Sequence, residues 1–355
     1  GLAGGDKKNG IKGVSLLSCQ IFQPNPNDPS KDLGGDGASA IKWGADNGAV
    51  ISQNSWGYTY ETDAEQAAAT IPGHLKAAID YFIANAGMDA SGKNQVGPMK
   101  GGVVIFAAGN DGREHDPIGK YDPVICVGSI GPDFTRAYYS NYGDWVDIAA
   151  PGGNAQYNQG EVLSTIPNNK YGYMQGTSMA CPHVSGVAAL GLSYAAQLRR
   201  HFKAEDFIAL MYETATPIDQ YMTGVKQYKR YVADLLESSP MHSMDMKDFK
   251  GGMGHGQINA YALLKAVEGA GAEMTFPNLY VAVGGQTTVS PSMYMEGNAF
   301  TVSVADSSVA TAEVVNGMVV VKGLKAGQTT ASITGSRTDK FVITVRENAN
   351  GNGWL

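Results

Sequence analysis

The stretch of this chain best suited to chemistry is Gly176-Thr177-Ser178-Met179-Ala180-Cys181-Pro182-His183-Val184-Ser185-Gly186. A serine sits among small residues, just ahead of a proline and an apolar run of helical spacing. That arrangement predicts a hydroxyl at a helix N-terminus, where unpaired backbone N–H groups face whatever the hydroxyl attacks. The neighbouring types suit the task. Gly176 leaves room for an approaching backbone, Ala180 keeps the helix start uncluttered, and Pro182 is expected in the first helical turn, where no N–H partner is needed. Taken alone, such a serine is also a common helix cap. Ala107-Ala108-Gly109-Asn110 ends a continuous apolar run, and Asn110 alone would read as half of a Gly-Asn turn. Asn54-Ser55-Trp56-Gly57 follows a strand-like segment, and Gly35-Asp36-Gly37 is a glycine-bounded loop.

The elements that must position these residues are legible from periodicity. Val14–Phe22, Val50–Trp56, Gly102–Ala108, Pro123–Ile130 and Trp145–Ala149 are predicted strands. Ala38–Asn47, His74–Ala86, Met179–Arg199, Ala204–Glu213 and Tyr261–Glu268 are predicted helices, the second with Leu75, Ala78, Ile79, Phe82 and Ile83 on one face. Alternation at this spacing implies a parallel sheet covered by helices on both faces, an α/β architecture. Residues 218–253, rich in Tyr, Met and charge, break the rhythm and read as an insertion, with a helix expected over Tyr228–Leu236. Beyond Gly271 the pattern becomes short, β-branched and alternating, as in an all-β sandwich. The domain expectation is therefore residues 1–271, then 274–347, with a polar, mobile tail over 348–355.

The 355 residues suffice for one large and one small domain. A formal net charge of −7, from 26 basic and 33 acidic residues, argues against nucleic acid or an anionic membrane as the main partner. No apolar run approaches the roughly 20 residues of a membrane helix. Cys19, Cys126 and Cys181 are spaced neither for zinc nor for a disulfide framework, and read as buried free thiols.

The eleven residues around Ser178 resemble the nucleophile motif of the subtilisin-like serine peptidases, the subtilases. Val146-Asp147-Ile148-Ala149-Ala150-Pro151-Gly152 and Thr165-Ile166-Pro167 agree with that family along the core. The resemblance implies a subtilisin-like fold and hydrolysis of peptide bonds, with Ser178 as nucleophile. It makes the Asn110 amide and the Ser178 N–H the donors to the oxyanion. Ser55, Trp56 and Gly57 would form one wall of the primary pocket and Ala107, Ala108 and Gly109 the other, while Gly35 and Gly37 bracket an extended peptide bound by strand addition. Trp56 reads equally as a packing residue. No cofactor is implied. Gly112-Arg113-Glu114-His115-Asp116 resembles the proprotein-convertase branch, where the corresponding aspartate can ligate calcium; specificity for basic residues would be a further step. Calcium takes six to eight oxygens, and this sequence offers one there. Ser307–Glu313 with Val319–Thr329 resembles the bacterial immunoglobulin-like repeat. Together the two resemblances imply a secreted or envelope-attached protein.

The family order is Asp, His, Ser. Neither an Asp-Ser/Thr-Gly nor a His-Gly-Thr-His motif occurs in residues 1–355, and residues 1–13 resemble the loop that follows the histidine helix. His183 lies five residues past Ser178, about 140° round a helix, facing away from it. His74, His115, His201, His242 and His255 stand in no matching context. The expectation is therefore weak peptidase activity for these residues alone, because the members of such a triad act as a unit. An exposed sheet edge is expected too, to be filled by the protein's own N-terminal segment or by another copy. The alternative reading is a non-catalytic peptide-binding or adhesion protein on the same scaffold.

Overall fold

The structure, a computed structural model, describes residues 14–22, 24–32, 35–89, 92, 94–232, 235–236 and 241–347. The chain folds as two compact units. The first draws on residues up to Ala86, Gly101–Gly191 and Ala204–Val267; the second draws on Gly87–Lys100, Leu192–Lys203 and the residues from Glu268 on.

At the centre of the first unit is a parallel sheet. Among the described residues it has four strands in the spatial order β1 (Ile51–Asn54), β2 (Val103–Ala107), β3 (Ile125–Ile130) and β4 (Ile148–Pro151). Gln53 stands opposite Ile105, Ile105 opposite Ile125, and Val127 opposite Ile148. β2 and β3 are almost wholly apolar and buried, as strands covered on both faces must be. Helices α1 (Gly37–Asp46), α2 (Asp63–Ala68) and α3 (Gly73–Asn85) precede β2 in the chain. α3 buries Leu75, Ala78, Ile79 and Phe82, the stripe that periodicity predicts, in one cluster with Val104 and Phe106. Each large side chain fully buried there contributes roughly 1.5–3 kcal/mol. α2 was not among the expected helices, although Thr62 and Glu65 form a reciprocal capping box at its start.

After β4 the chain makes a hairpin, β5 (Val162–Ile166) with β6 (Lys170–Met174), turning through Asn168 and Asn169 at φ 66° and 57°. Asparagine tolerates that left-handed backbone better than most residues. Then follow α4 (Thr177–Gln197) and α5 (Ala204–Glu213). The inserted region contains a second hairpin, β7 (Val225–Tyr228) with β8 (His242–Asp245), before α6 (Ala260–Gly269).

Two expectations about elements fail. Val14–Phe22 forms no strand: Leu16 is 89% exposed, and Leu17 and Phe22 are exposed as well. Apolar content favours a strand only when a neighbour pairs with it, and among the described residues none does. Cys19, expected buried, is consequently exposed, whereas Cys126 and Cys181 are buried. The helix expected over Tyr228–Leu236 is absent among the described residues, where Tyr231–Val232 pairs with Leu235–Leu236. β7 instead alternates exposed and half-buried residues with a period of two, which favours pairing over helix.

The sheet's two borders differ. Outside β4, the Ala149 N–H donates to Gly256 at 2.8 Å and the Ile258 N–H to Ala149 at 2.9 Å. Outside β1, no backbone hydrogen bond is made among the described residues.

Beside a small sheet in which Arg200–Lys203 pairs with Met99–Lys100 and with Ala272–Glu273, the second unit holds two further sheets. One has the order β9 (Leu279–Ala282), β15 (Thr338–Arg346), β14 (Gly327–Thr334), β11 (Thr301–Val304); the other has β10 (Gln286–Val289), β13 (Met318–Gly323), β12 (Ala310–Val315). β9 runs parallel to β15. Val319 and Val321 of one sheet share a single buried cluster with Ile333, Phe341, Ile343 and Val345 of the other.

Candidate active site

Ser178 lies in the first turn of α4 and is half-buried. In that turn a backbone N–H has no intrahelical acceptor, so the Ser178 N–H is available to a ligand. Pro182 is deeper in the helix than its sequence position suggested, because the helix already begins at Thr177. Proline has no N–H to give the carbonyl four residues back, which is that of Ser178. The freed carbonyl instead accepts from the Ser55 hydroxyl at 2.8 Å. The Ser178 hydroxyl in turn lies 3.4 Å from the Ser55 carbonyl. Two bonds thus tie the serine turn to the end of β1.

Asn110 reaches the same place from β2. Its Oδ1 accepts from the Thr177 N–H and from the Thr177 hydroxyl, both at 2.9 Å. A backbone N–H needs an acceptor, so the amide oxygen must face Thr177 and the NH2 must face outward. The Thr177 hydroxyl also accepts from the Gly109 N–H at 3.2 Å. A β-carbon added at Gly176 would sit 3.7 Å from Asn110 Oδ1 and 3.7 Å from the Ser178 nitrogen. The Asn110 carboxamide and the Ser178 nitrogen therefore border one space, beside Met179 Sδ at 3.6 Å, which glycine leaves open.

The turn carrying Asn110 is held from behind by Asn141, which is completely buried. Its Oδ1 accepts from the Asp111 and Arg113 N–H groups at 3.0 and 2.9 Å, and its Nδ2 donates to the Ala108 carbonyl at 2.9 Å. Gly109 adopts φ 97°, and a β-carbon there would stand 2.5 Å from Asn141 Nδ2. Only glycine fits without strain. Asn141 and Thr177 were not singled out as functional from the sequence. Thr177 was visible within the serine motif, whereas nothing local marks Asn141.

The remaining candidates divide. Ser55 meets Ser178 directly, and Ala107, Ala108 and Gly109 lead from β2 into the Asn110 turn. Gly57 is exposed with open space around it. Trp56 packs: its ring lies 5.1 Å from Phe106, edge to face, and its Nε1 donates to Asn54 at 3.1 Å. A β-carbon on Gly37 would meet that ring at 2.6 Å. Gly37 is the first residue of α1 rather than a loop residue, and Asp36 caps the helix by accepting the Ser39 N–H at 2.9 Å. Gly35 lies against the Ile21 backbone with no room for a side chain. Residues 1–13, likened above to the loop after a histidine helix, fall outside the described residues.

The histidine on α4 does not serve the serine. A His183 ring nitrogen sits 2.7 Å from the Met179 carbonyl, and the hydrogen-bond partner of the Ser178 hydroxyl is a carbonyl rather than an imidazole. Asp116 is engaged within the protein. Its Oδ1 already accepts from the Ile118 and Gly119 N–H groups at 3.0 and 2.6 Å, and burial pushes the carboxyl up to about 6, against ionisation. Among the described residues, no three His, Cys, Asp or Glu side chains are grouped to hold a metal. Burial likewise pushes the Cys181 thiol, one turn past Ser178, up to about 11, leaving it a poor nucleophile.

Comparison with known proteins gives a consistent match. The model of the Subtilase family, Peptidase_S8, matches residues 1–256. The chain is 34% identical over 198 residues to the thermophilic serine proteinase of Bacillus sp. (strain AK1), covering 54% of this chain and 40% of the relative. It is 36% identical over 197 residues to subtilisin DY of Bacillus licheniformis, covering 53% and 59%. Halolysin of Haloferax mediterranei is 34% identical over 214 residues, with 57% and 34% covered. The chain thus spans between a third and three fifths of these relatives. A solved structure, the prenylagaramide maturation protease PagA, is 24% identical with a TM-score of 0.47, covering 65% of this chain and 66% of that one.

Proposed function

The chain belongs to the subtilase family, and from that premise we propose that it carries the nucleophile and the oxyanion-stabilising side of a serine endopeptidase. The observation that supports this most is the shared border of Ser178 and Asn110, fixed by Thr177. In this reading Ser178 Oγ attacks a peptide carbonyl and gives its proton to an imidazole outside residues 1–355 or on another chain. The oxyanion takes hydrogen bonds from the Ser178 N–H and Asn110 Nδ2. The C–N bond breaks as the imidazolium returns its proton to the leaving amine. Water then attacks the ester, freeing the acid and restoring the Oγ–H bond. The reaction draws on no cofactor. An extended peptide lies between Ser55-Trp56-Gly57 and Ala107-Ala108-Gly109, with Gly35 and Gly37 beyond.

Two further parts of the proposal rest on the fold. The bare border of β1 and the exposed run at 14–22 suit an added strand, from the protein's own N-terminal segment or from a second copy. The two sheets built from β9 to β15 suit a bacterial immunoglobulin-like module, serving as a spacer in a secreted or envelope-attached protein. Among the described residues no helix is long and apolar enough to cross a membrane.

A second reading, peptide binding without cleavage, is favoured by the carbonyl partner of the Ser178 hydroxyl. One experiment separates the two. The full-length gene product is incubated with an unfolded protein substrate beside its Ser178→Ala variant. Cleavage by the parent alone supports the peptidase; equal cleavage by both rejects it; binding without cleavage by either supports the alternative.

A further inference from the structure

The inserted hairpin β7–β8 converges on one residue of the serine turn. Gln175 immediately precedes Gly176. Its Nε2 donates to the Tyr138 hydroxyl at 2.9 Å, and its Oε1 accepts from the Ala155 N–H at 2.8 Å. The carboxamide is thus held between two groups remote from it in sequence, and the insertion grips both. The Tyr228 ring of β7 stacks on Tyr138, with centroids 5.1 Å apart and planes at 27°. His242 of β8 stacks on Tyr228 from the other side at 5.3 Å. Next to Ala155, the Gln156 side chain pairs with the Lys229 backbone. Its Nε2 donates to the Lys229 carbonyl at 2.6 Å, and its Oε1 accepts the Lys229 N–H at 3.0 Å.

Other contacts fix the hairpin to the same surface. Lys226 is ion-paired with Asp133 and donates to Thr135 Oγ1 at 2.6 Å. Arg136, almost fully buried, lies over the Tyr142 and Phe249 rings at 4.6 and 4.2 Å, with its Nη1 3.6 Å from Met244 Sδ of β8. Its Nε also donates to the Ser140 carbonyl at 2.9 Å, and a buried cation so held by ring faces and a carbonyl moves little once packed. The insertion therefore behaves as a brace with a stiff footing, and its load falls on Tyr138 and on 155–156.

We infer that Gln175 is a positioning residue for the Gly176–Thr177–Ser178 turn, and that the inserted hairpin braces it through Tyr138 and Ala155. The Gly176 N–H donates to Gly152 at 2.9 Å and the Thr177 N–H to Asn110, so a shift at Gln175 moves the donors that flank Ser178. The catalytic part of this inference rests on the proposed peptidase reading; the mechanical part does not.

The test uses Tyr228→Ala, Tyr228→Phe and Tyr138→Phe. The first removes the stack, the second keeps it, and the third keeps it but deletes the acceptor of the Gln175 amide. Amide hydrogen exchange is followed in the 355-residue chain over peptides spanning 175–179, with 125–130 as an internal reference. Tyr228→Ala is expected to speed exchange at 175–179 about tenfold, and Tyr138→Phe about threefold, the scale of one lost hydrogen bond. Tyr228→Phe is expected to match the parent, and 125–130 to stay unchanged throughout. In the full-length gene product, the same two loss variants lower kcat with KM held within about twofold, as a group acting on geometry rather than binding should. Unchanged exchange at 175–179 in both loss variants overturns the brace, as does a Tyr228→Phe result equal to Tyr228→Ala. Slowed turnover accompanied by a proportional rise in KM overturns the positioning role. Cleavage that survives Ser178→Ala overturns the peptidase reading, while the exchange result still decides the brace.

Discussion

The two borders of the parallel sheet are built to different standards. Beyond β4 the chain finishes its own edge: Gly256 and Ile258 take up the Ala149 backbone groups, and the inserted hairpin covers the neighbouring surface. Beyond β1 the edge is bare among the described residues, although the 14–22 run carries the apolar side chains that a sheet would bury. Ser178 and Asn110 stand between the two, at the ends of β1 and β2. The contrast teaches that the serine turn and Asn110 are tied together by bonds within this chain, whereas nothing among the described residues pairs with the β1 edge. An unpaired edge with exposed apolar neighbours invites strand addition.

The comparison breaks most visibly in chemistry. If the β1 side needs completion, residues 1–355 alone should react with a fluorophosphonate probe at least about ten-thousand-fold more slowly than the full-length gene product, the scale of losing a unit's partner. Equal rates would mean that the bare edge conceals no missing function. Next in size is Asn110→Ala in the full-length product. It should lower kcat about a hundred- to thousandfold with little change in KM, the range known for losing this donor within the same family. A change confined to KM would reassign Asn110 to ground-state binding.

The finished border has its own pH signature. Asp147, at the entrance to β4, accepts the Cys126 N–H at 2.7 Å, yet burial raises its carboxyl to about 6. Folding therefore favours the protonated form. The associated stability is fully present below the unfolded value near 4 and is lost as pH rises through about 6. At most about 3 kcal/mol is involved, from two units at 1.36 kcal/mol each. Urea unfolding at pH 4.5 and 7.5 should show that loss, and Asp147→Asn should flatten it; a parent with flat stability would contradict the assignment. The smallest effect belongs to the bare border. Leu16→Asp should change unfolding free energy by less than about 0.5 kcal/mol, as exposed sites do. The same substitution should weaken any self-association measured by sedimentation. A large destabilisation would show that Leu16 is packed after all.

Much of the site was legible because its geometry is local. The Gly176–Gly186 run announced a serine at a helix start, and the apolar run before Asn110 announced the strand that carries it. The α3 stripe was equally readable, since helical periodicity is a property of one segment. What escaped depends on partners distant in the chain. Val14–Phe22 has strand composition but no neighbour, so composition misled. Tyr228 reads as a helix former's neighbour until it is seen stacked on Tyr138. Gln175, Asn141 and Thr177 matter through bonds to residues 20 to 67 positions away, and no local pattern encodes such bonds. Pro182 was expected to be harmless in a first turn. It proved informative in the second, where its missing N–H frees the Ser178 carbonyl for Ser55.

The central claim is that the Ser178 hydroxyl, with the Asn110 amide beside it, is the reacting group. Peptide mapping of the fluorophosphonate adduct on the full-length gene product tests it most directly. The account predicts a single adduct on Ser178 that forms far more slowly in Asn110→Ala. An adduct on another residue, or labelling that is as fast in Ser178→Ala as in the parent, would contradict it.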